Sequence, residues 1–195
     1  MAHPLQETLG KPGAGLPKLH AFTLRYLGFP LMKLIYPWER AFALFESESN
    51  KILELTGKLD EKQLFRRVMV TPTFGIEDNS RFYSAAMVLA HLTHVGKTVR
   101  NGIVSLSHGQ PLNTDVRIED YKPFSEIGND IVDVYRSMAE SYRSRILNRI
   151  GDYRSGTCQK HPWFGCLDAH GWLILSAVHQ RVHRRQLEKI VGVLP

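Results

Sequence analysis

The sequence predicts an all-α protein, a four-helix bundle behind an extra N-terminal segment. Three observations carry this. Apolar residues recur at 3–4 spacing in long blocks, while the period-2 alternation of half-buried strands is scarce. Four blocks run to about 20–28 residues, beyond the globular helix mean of about 11–12. Helices of that length, each with one apolar stripe, bury their stripes against one another as an antiparallel bundle.

Positions 1–36 read as the N-terminal extension and 37–195 as the bundle. Gly10 to Pro17, with three glycines and two prolines, is expected as a mobile lead-in. Leu16 to Lys33 has room for a shorter extra helix. The first main helix is expected from Pro37 to Leu59, through Trp38, Phe42, Phe45, Ile52 and Leu55, with Pro37 opening it and Gly57 near its stop. The second runs from about Ser80 to Ser107, with Asp78, Asn79 or Ser80 as N-cap. Its stripe is Phe82, Ala85, Leu89, Leu92, Gly96, Val99, Ile103 and Leu106. The third runs from about Phe124 to Ile150, capped by Ser125 and closed by Gly151. The fourth runs from about Asp168 to Val193. The connections after helices two and three, about 16 residues each, are longer than bundles need, and loops of that kind often cover a site. Val68 to Ile76 is a third irregular connection.

Bulk properties bound the function. A chain of 195 residues supports one domain with a sizeable core. The net charge is +6 and the pI about 9.4, but the arginines are dispersed. With no compact basic cluster interleaved with aromatics, nucleic acid is a disfavoured partner. The apolar stretch Leu24 to Trp38 is interrupted by Arg25, Pro30, Lys33 and Pro37 and is too short to span a bilayer. No secretory signal is evident, so the expectation is a cytoplasmic protein with no membrane partner. Cys158 and Cys166 form no CxxC motif and read as two free thiols in a reducing compartment. A homodimer is compatible with a bundle, although no exposed stripe argues for it.

The chemistry lies in helix four. His179 and His183 are four residues apart, about 40° around a helix axis. Trp172, Leu175, Val182, Gln186 and Ile190 share their side; Arg181, Arg184, Arg185 and Glu188 fall on the other. Two imidazoles one turn apart on an inner face suit a divalent metal, and an open catalytic site needs a third protein ligand. On helix two, His91 lies on a stripe of small and apolar residues with Ser84, Val88, Val95 and Gly102. His94 lies with Tyr83, Lys97 and Asn101 on a polar side. His91 is therefore the better inner ligand, and His94 reads as a surface or outer residue. The spacing also admits two hydrogen-bonded core histidines.

The run His161-Pro162-Trp163-Phe164-Gly165-Cys166-Leu167, then Trp172, then His179-x-x-x-His183-x-x-Gln186, resembles the closing signature of the DinB/YfiT-like superfamily. Val88-Leu89-Ala90-His91-Leu92 is similar to the His-Leu element of that family's second helix. The resemblance implies a four-helix bundle in up-down-down-up order with a crossover connection. It also implies a divalent metal held by His91, His179 and His183; zinc, nickel, manganese and iron are not distinguished by three imidazoles. Family activities include low-molecular-weight-thiol transferases and isomerases, and many members are assigned as metal-dependent hydrolases. The family's acidic residue on helix two is not matched, since Met87 stands near that place. The aromatic lead into that helix is not matched either.

The expected reading is thus a three-histidine metalloprotein acting on a small molecule or a thiol. Its alternative is a non-catalytic stress-response or binding protein with a structural or vestigial metal site. Gln186 is expected to hydrogen-bond near the metal, His161 to serve a structural hydrogen bond, and Trp172 to belong to the core. Tyr83, Glu140 and Asp168 are base candidates by position alone, so the catalytic group stays unassigned.

Overall fold

The computed structural model describes residues 9–10, 22–112, 116–123 and 126–195. Among these lie seven α-helices: α1 (Phe29–Ile35), α2 (Trp38–Thr56), α3 (Glu61–Phe65), α4 (Ala85–Ser107), α5 (Ile131–Glu140), α6 (Tyr142–Leu147) and α7 (Ala169–Val193). A π-helical turn, Leu24–Gly28, leads into α1. Two short antiparallel ribbons accompany them. One pairs β1 (Val68–Met69) with β2 (Phe82–Tyr83), the other β3 (Cys158–His161) with β4 (Gly165–Asp168).

The bundle is α2, α4, the broken pair α5–α6, and α7. α7 packs between α2 and α4, and α5–α6 closes the ring against α4 and α2. Directions follow from contacts. Trp38 lies by His170 and Glu48 pairs with Arg184, so α2 and α7 run parallel. A Cβ on Gly96 would meet Met138, and Gly151 donates to Ser107, so α4 and α5–α6 also run parallel. His91 lies by His179 and His183, and Ser80, just ahead of α4, accepts from Gln186 farther along α7, so α7 is antiparallel to α4. The result is up-down-down-up. Because α4 and α5 are parallel, the chain must run back along the bundle between them. The described residues of this return stroke, 108–112, 116–123 and 126–130, include a 3-10 turn at Ile118–Tyr121 that brings Tyr121 beside His91.

Local chemistry sets the ends. Asp168 caps α7 by accepting from the Gly171 N–H at 2.8 Å, and Lys33 binds the same carboxylate at 2.8 Å. Ser84 caps α4, accepting from the Met87 N–H at 3.2 Å. The expected caps Asp78, Asn79 and Ser80 instead form a 3-10 turn, and Phe82 and Tyr83 form β2. Both aromatics are buried, so they fit a helical stripe and a short strand equally well. The expected third helix is shorter and broken. At the break Ser141 returns its hydroxyl to the Ser137 carbonyl at 2.6 Å, a bond that bends helices. The expected start at Phe124 and cap at Ser125 lie outside the described residues. So does most of the Gly10–Pro17 lead-in; Gly10 itself donates to Asp78 at 3.0 Å.

Two further expectations are corrected. The cysteines are not free: Cys158 and Cys166 form a disulfide. The β3–β4 ribbon brings their Cα atoms to 5.5 Å, within bridging range. The argument for a reducing compartment from free thiols therefore falls. Second, Arg181 and Arg184 do not simply face water. Both pair with Glu48 of α2, which is only 2% exposed. Burial alone would raise the Glu48 carboxyl, but hydrogen bonding and charge from Arg184, with Lys51 and Arg181, hold it below its ordinary value.

The core is one cluster shared by all four bundle members, with Phe42, Phe45, Leu89, Tyr135, Tyr142 and Leu173 fully buried. Each large apolar side chain taken from water contributes about 1.5–3 kcal/mol. The two fully buried tyrosine hydroxyls are partnered: Tyr135 donates to Gln180 and Tyr142 to Ser176, both at 2.8 Å. Among the described residues, no helix is long and apolar enough to cross a membrane.

Candidate metal centre

α4 and α7 bring His91, His179 and His183 together, with one ring nitrogen from each lying within 4.8 Å of the others. His179 Nε2 sits 3.1 Å from His91 Nε2 and 3.1 Å from His183 Nε2. In a tetrahedral zinc site with Zn–N of about 2.0–2.1 Å, ligand nitrogens stand about 3.3 Å apart. Two of the three separations, both through His179, are close to that value, and the third lies within 4.8 Å.

Their protonation is arranged for it. His91 Nδ1 lies 2.6 Å from the Tyr121 carbonyl, which can only accept, so Nδ1 carries the proton and Nε2 keeps its lone pair. His183 Nδ1 lies 2.8 Å from Gln186 Oε1. The Gln186 amide is oriented by its own Nε2, which donates to the Ser80 carbonyl at 2.6 Å. This chain of contacts assigns the amide and the tautomer together. Two lone pairs thus face His179 Nε2, which donates to them when it carries its proton and completes a three-nitrogen ligand set when the proton sits on Nδ1. Burial pushes His91 down to about 4 and holds His179 and His183 well below the usual histidine value. All three imidazoles are neutral near pH 7, the state that binds metal.

The other expected residues fall as follows. His94 is half-buried beside Tyr121, with ring centroids 5.4 Å apart, and takes no place in the cluster. His161 sits on β3, not on a bundle helix. Its Nδ1 accepts from the Trp163 N–H at 3.1 Å, and its ring stacks on Phe164 at 4.7 Å. Trp172 is 7% exposed and lies against His161, so it is a core residue that also faces the cavity. None of the three base candidates lines that cavity. Tyr83 is buried and pushed up to about 12, Asp168 is occupied as the α7 cap, and Glu140 is exposed.

Sequence reasoning missed the opposite wall. Lys122, from the return stroke, binds Glu77 and donates to Asn79 Oδ1 at 2.7 Å and Ser80 Oγ at 3.0 Å. Glu77 and Lys122 line the cavity with the histidines. Tyr121 contributes a main-chain carbonyl, so no residue-type signal could have found it. Lys122 was legible only as one more dispersed cation.

The cavity holds about 180 Å³ and has a mostly apolar lining. It runs along the α4–α7 seam from the histidines toward Leu106 and Trp172.

Comparison with solved structures matches the chain to TT2238, described as a four-helix bundle protein, at 18% identity and a TM-score of 0.51. The match covers 78% of this chain and 98% of that one. It supports the four-helix-bundle fold. No family model matches the chain, and no curated protein does.

Proposed function

We propose that this chain is a DinB-like metalloprotein that binds one divalent ion through His91, His179 and His183 and acts on a small molecule. One observation carries the reading: three imidazole nitrogens converge while carbonyl partners hold the Nδ1 protons of two of them away from the ion. Such an ion lowers the pKa of a coordinated water or thiol, supplying a nucleophile for hydrolysis or for transfer of a low-molecular-weight thiol. Tyr121 and Gln186 orient the ligands, and the apolar lining restricts water.

A structural zinc site is usually closed by four protein ligands. Among the described residues the cluster offers three, and all three border the cavity. This favours an open, reactive site over the non-catalytic alternative. The proposed partner is a small molecule rather than nucleic acid.

Elemental analysis of the purified full chain tests the reading. The expected result is close to one zinc, nickel, manganese or iron ion per chain, absent from His179→Ala. Wild-type protein that takes up none of these ions under any loading condition overturns it. A panel of esters and thiols then separates hydrolysis from transfer.

A further inference from the structure

The α4 residues facing the cavity are His91, Val95, Thr98, Val99, Gly102 and Leu106. They share one helix face, and its first and last members are 15 residues apart, about 22 Å of axis at about 1.5 Å per residue. α7 faces them with Val178, Leu175 and Trp172 beyond its two histidines. The seam is therefore a slot with unlike ends. At one end lie the histidines, Glu77 and Lys122. Farther along, the lining is mostly apolar, from both helices, from Phe29 and Met32 of α1 and from the hairpin aromatics Trp163 and Phe164, with Thr98, Ser176 and the neutral His161 as its polar side chains. Gly102 keeps the slot open, since a Cβ there meets only Leu112, at 3.6 Å.

From this segregation we propose that the slot binds a small amphiphile, with one monoanionic head at the histidine end and an apolar tail of about six to eight carbons along α4 and α7. The proposal rests on the metal reading and adds the ligand class to it. The size follows from the volume: about 180 Å³ is somewhat more than the roughly 150 Å³ apolar cavity known to admit benzene. The head follows from charge. Lys122 is neutralised by Glu77, so a divalent ion on three neutral imidazoles carries the net positive charge. A second anionic group would have to enter the apolar stretch unpaired, or face Glu77.

The probes are straight-chain carboxylates, titrated calorimetrically into the zinc-loaded full chain from acetate to dodecanoate. Each added methylene is expected to tighten binding up to about fourfold, with the gain ending near octanoate. Gly102→Leu, which fills the slot three turns from His91, is expected to reduce octanoate to the acetate level while zinc content stays at wild type. Val178→Phe should do the same from the α7 side. Equal affinity for acetate and octanoate in wild-type protein that holds zinc overturns the tail and leaves the metal reading standing. Octanoate affinity unchanged in both filled variants also overturns it. Octanoate binding undiminished after zinc removal overturns the head assignment. Failure to load zinc overturns the metal reading itself, a result that zinc content reports separately.

Discussion

The cavity has histidines on two sides, and the two regions treat the same side chain in opposite ways. On the α4–α7 seam, His91 and His183 give their Nδ1 protons to oxygen acceptors and leave Nε2 as a lone pair. On the β3–β4 ribbon, His161 accepts at Nδ1 from the Trp163 N–H, which puts its proton on Nε2. All three are pushed toward the neutral form by burial, His161 to about 3. Burial alone therefore does not distinguish a ligand from a packing residue. The acceptor on the far nitrogen does, because it decides which lone pair is left and where it points.

The sharpest way to break this comparison is to remove one imidazole from each region. His183→Ala should abolish metal binding, since two imidazoles remain for an ion that needs three protein ligands to stay in an open site. His161→Phe should leave the ion in place, because its ring packs against Phe164 and Trp172 and donates no lone pair to the cluster. Metal content by elemental analysis reads both. If His161→Phe loses the ion as His183→Ala does, the ribbon histidine is part of the centre and the contrast collapses.

Next in size is the amide behind His183. Gln186 is fully buried and bridges the imidazole to the Ser80 carbonyl. Loss of such an outer partner typically costs 10–100-fold in metal affinity, so Gln186→Ala should weaken binding by about that factor without abolishing it. Competition with a chelator measures the change. Unchanged affinity would mean that the imidazole needs no orienting partner.

The ability to read these regions from sequence differed for a physical reason. Helix four was legible almost to the residue: Asp168 is a strong N-cap and a long stripe follows it, and the observed helix is Ala169–Val193. The 179/183 pair is likewise a local consequence of 3.6-residue periodicity. His91 needed the resemblance or the stripe argument, since nothing local ties it to helix four. The ribbon was not legible. Four-residue strands carry too little periodicity, and the disulfide that staples them depends on a turn at Gly165, whose φ is +79°. The contacts from Glu48 to Arg181 and Arg184 and from Lys122 to Glu77 span long sequence separations, so helix-face arithmetic placed the two arginines outward and overlooked the carboxylates.

A third test uses protons. In metal-free protein the buried histidines stay neutral while their unfolded counterparts protonate below about 6.5. The unfolded state then binds more protons, so stability is fully present above about 6.5 and falls as pH drops toward the folded values, about 4 for His91 and about 3 for His161. Each such histidine contributes a slope of about 1.4 kcal/mol per pH unit inside that window. Urea midpoints of the metal-free protein at pH 7 and pH 5 should show the loss. His161→Phe should reduce the slope by one proton's worth. An unaltered slope in that variant would show that His161 is not held neutral by its packing.

The smallest expected effect on metal binding concerns the staple. Cys158 and Cys166 are eight positions apart, so the bridge closes a short loop, for which chain entropy gives about 2–3 kcal/mol. Reduction should lower stability by about that amount. It should leave metal content unchanged, because no ligand histidine lies on the ribbon. What it should alter is the wall: His161, Trp163 and Phe164 all ride on the stapled segment and all border the cavity. Octanoate affinity should therefore fall on reduction while acetate affinity holds. A Cys158→Ser, Cys166→Ser double variant should reproduce the reduced protein. If both ligands weaken together and zinc is lost as well, the ribbon and the metal centre are one cooperative unit, and the division between the two histidine regions is wrong.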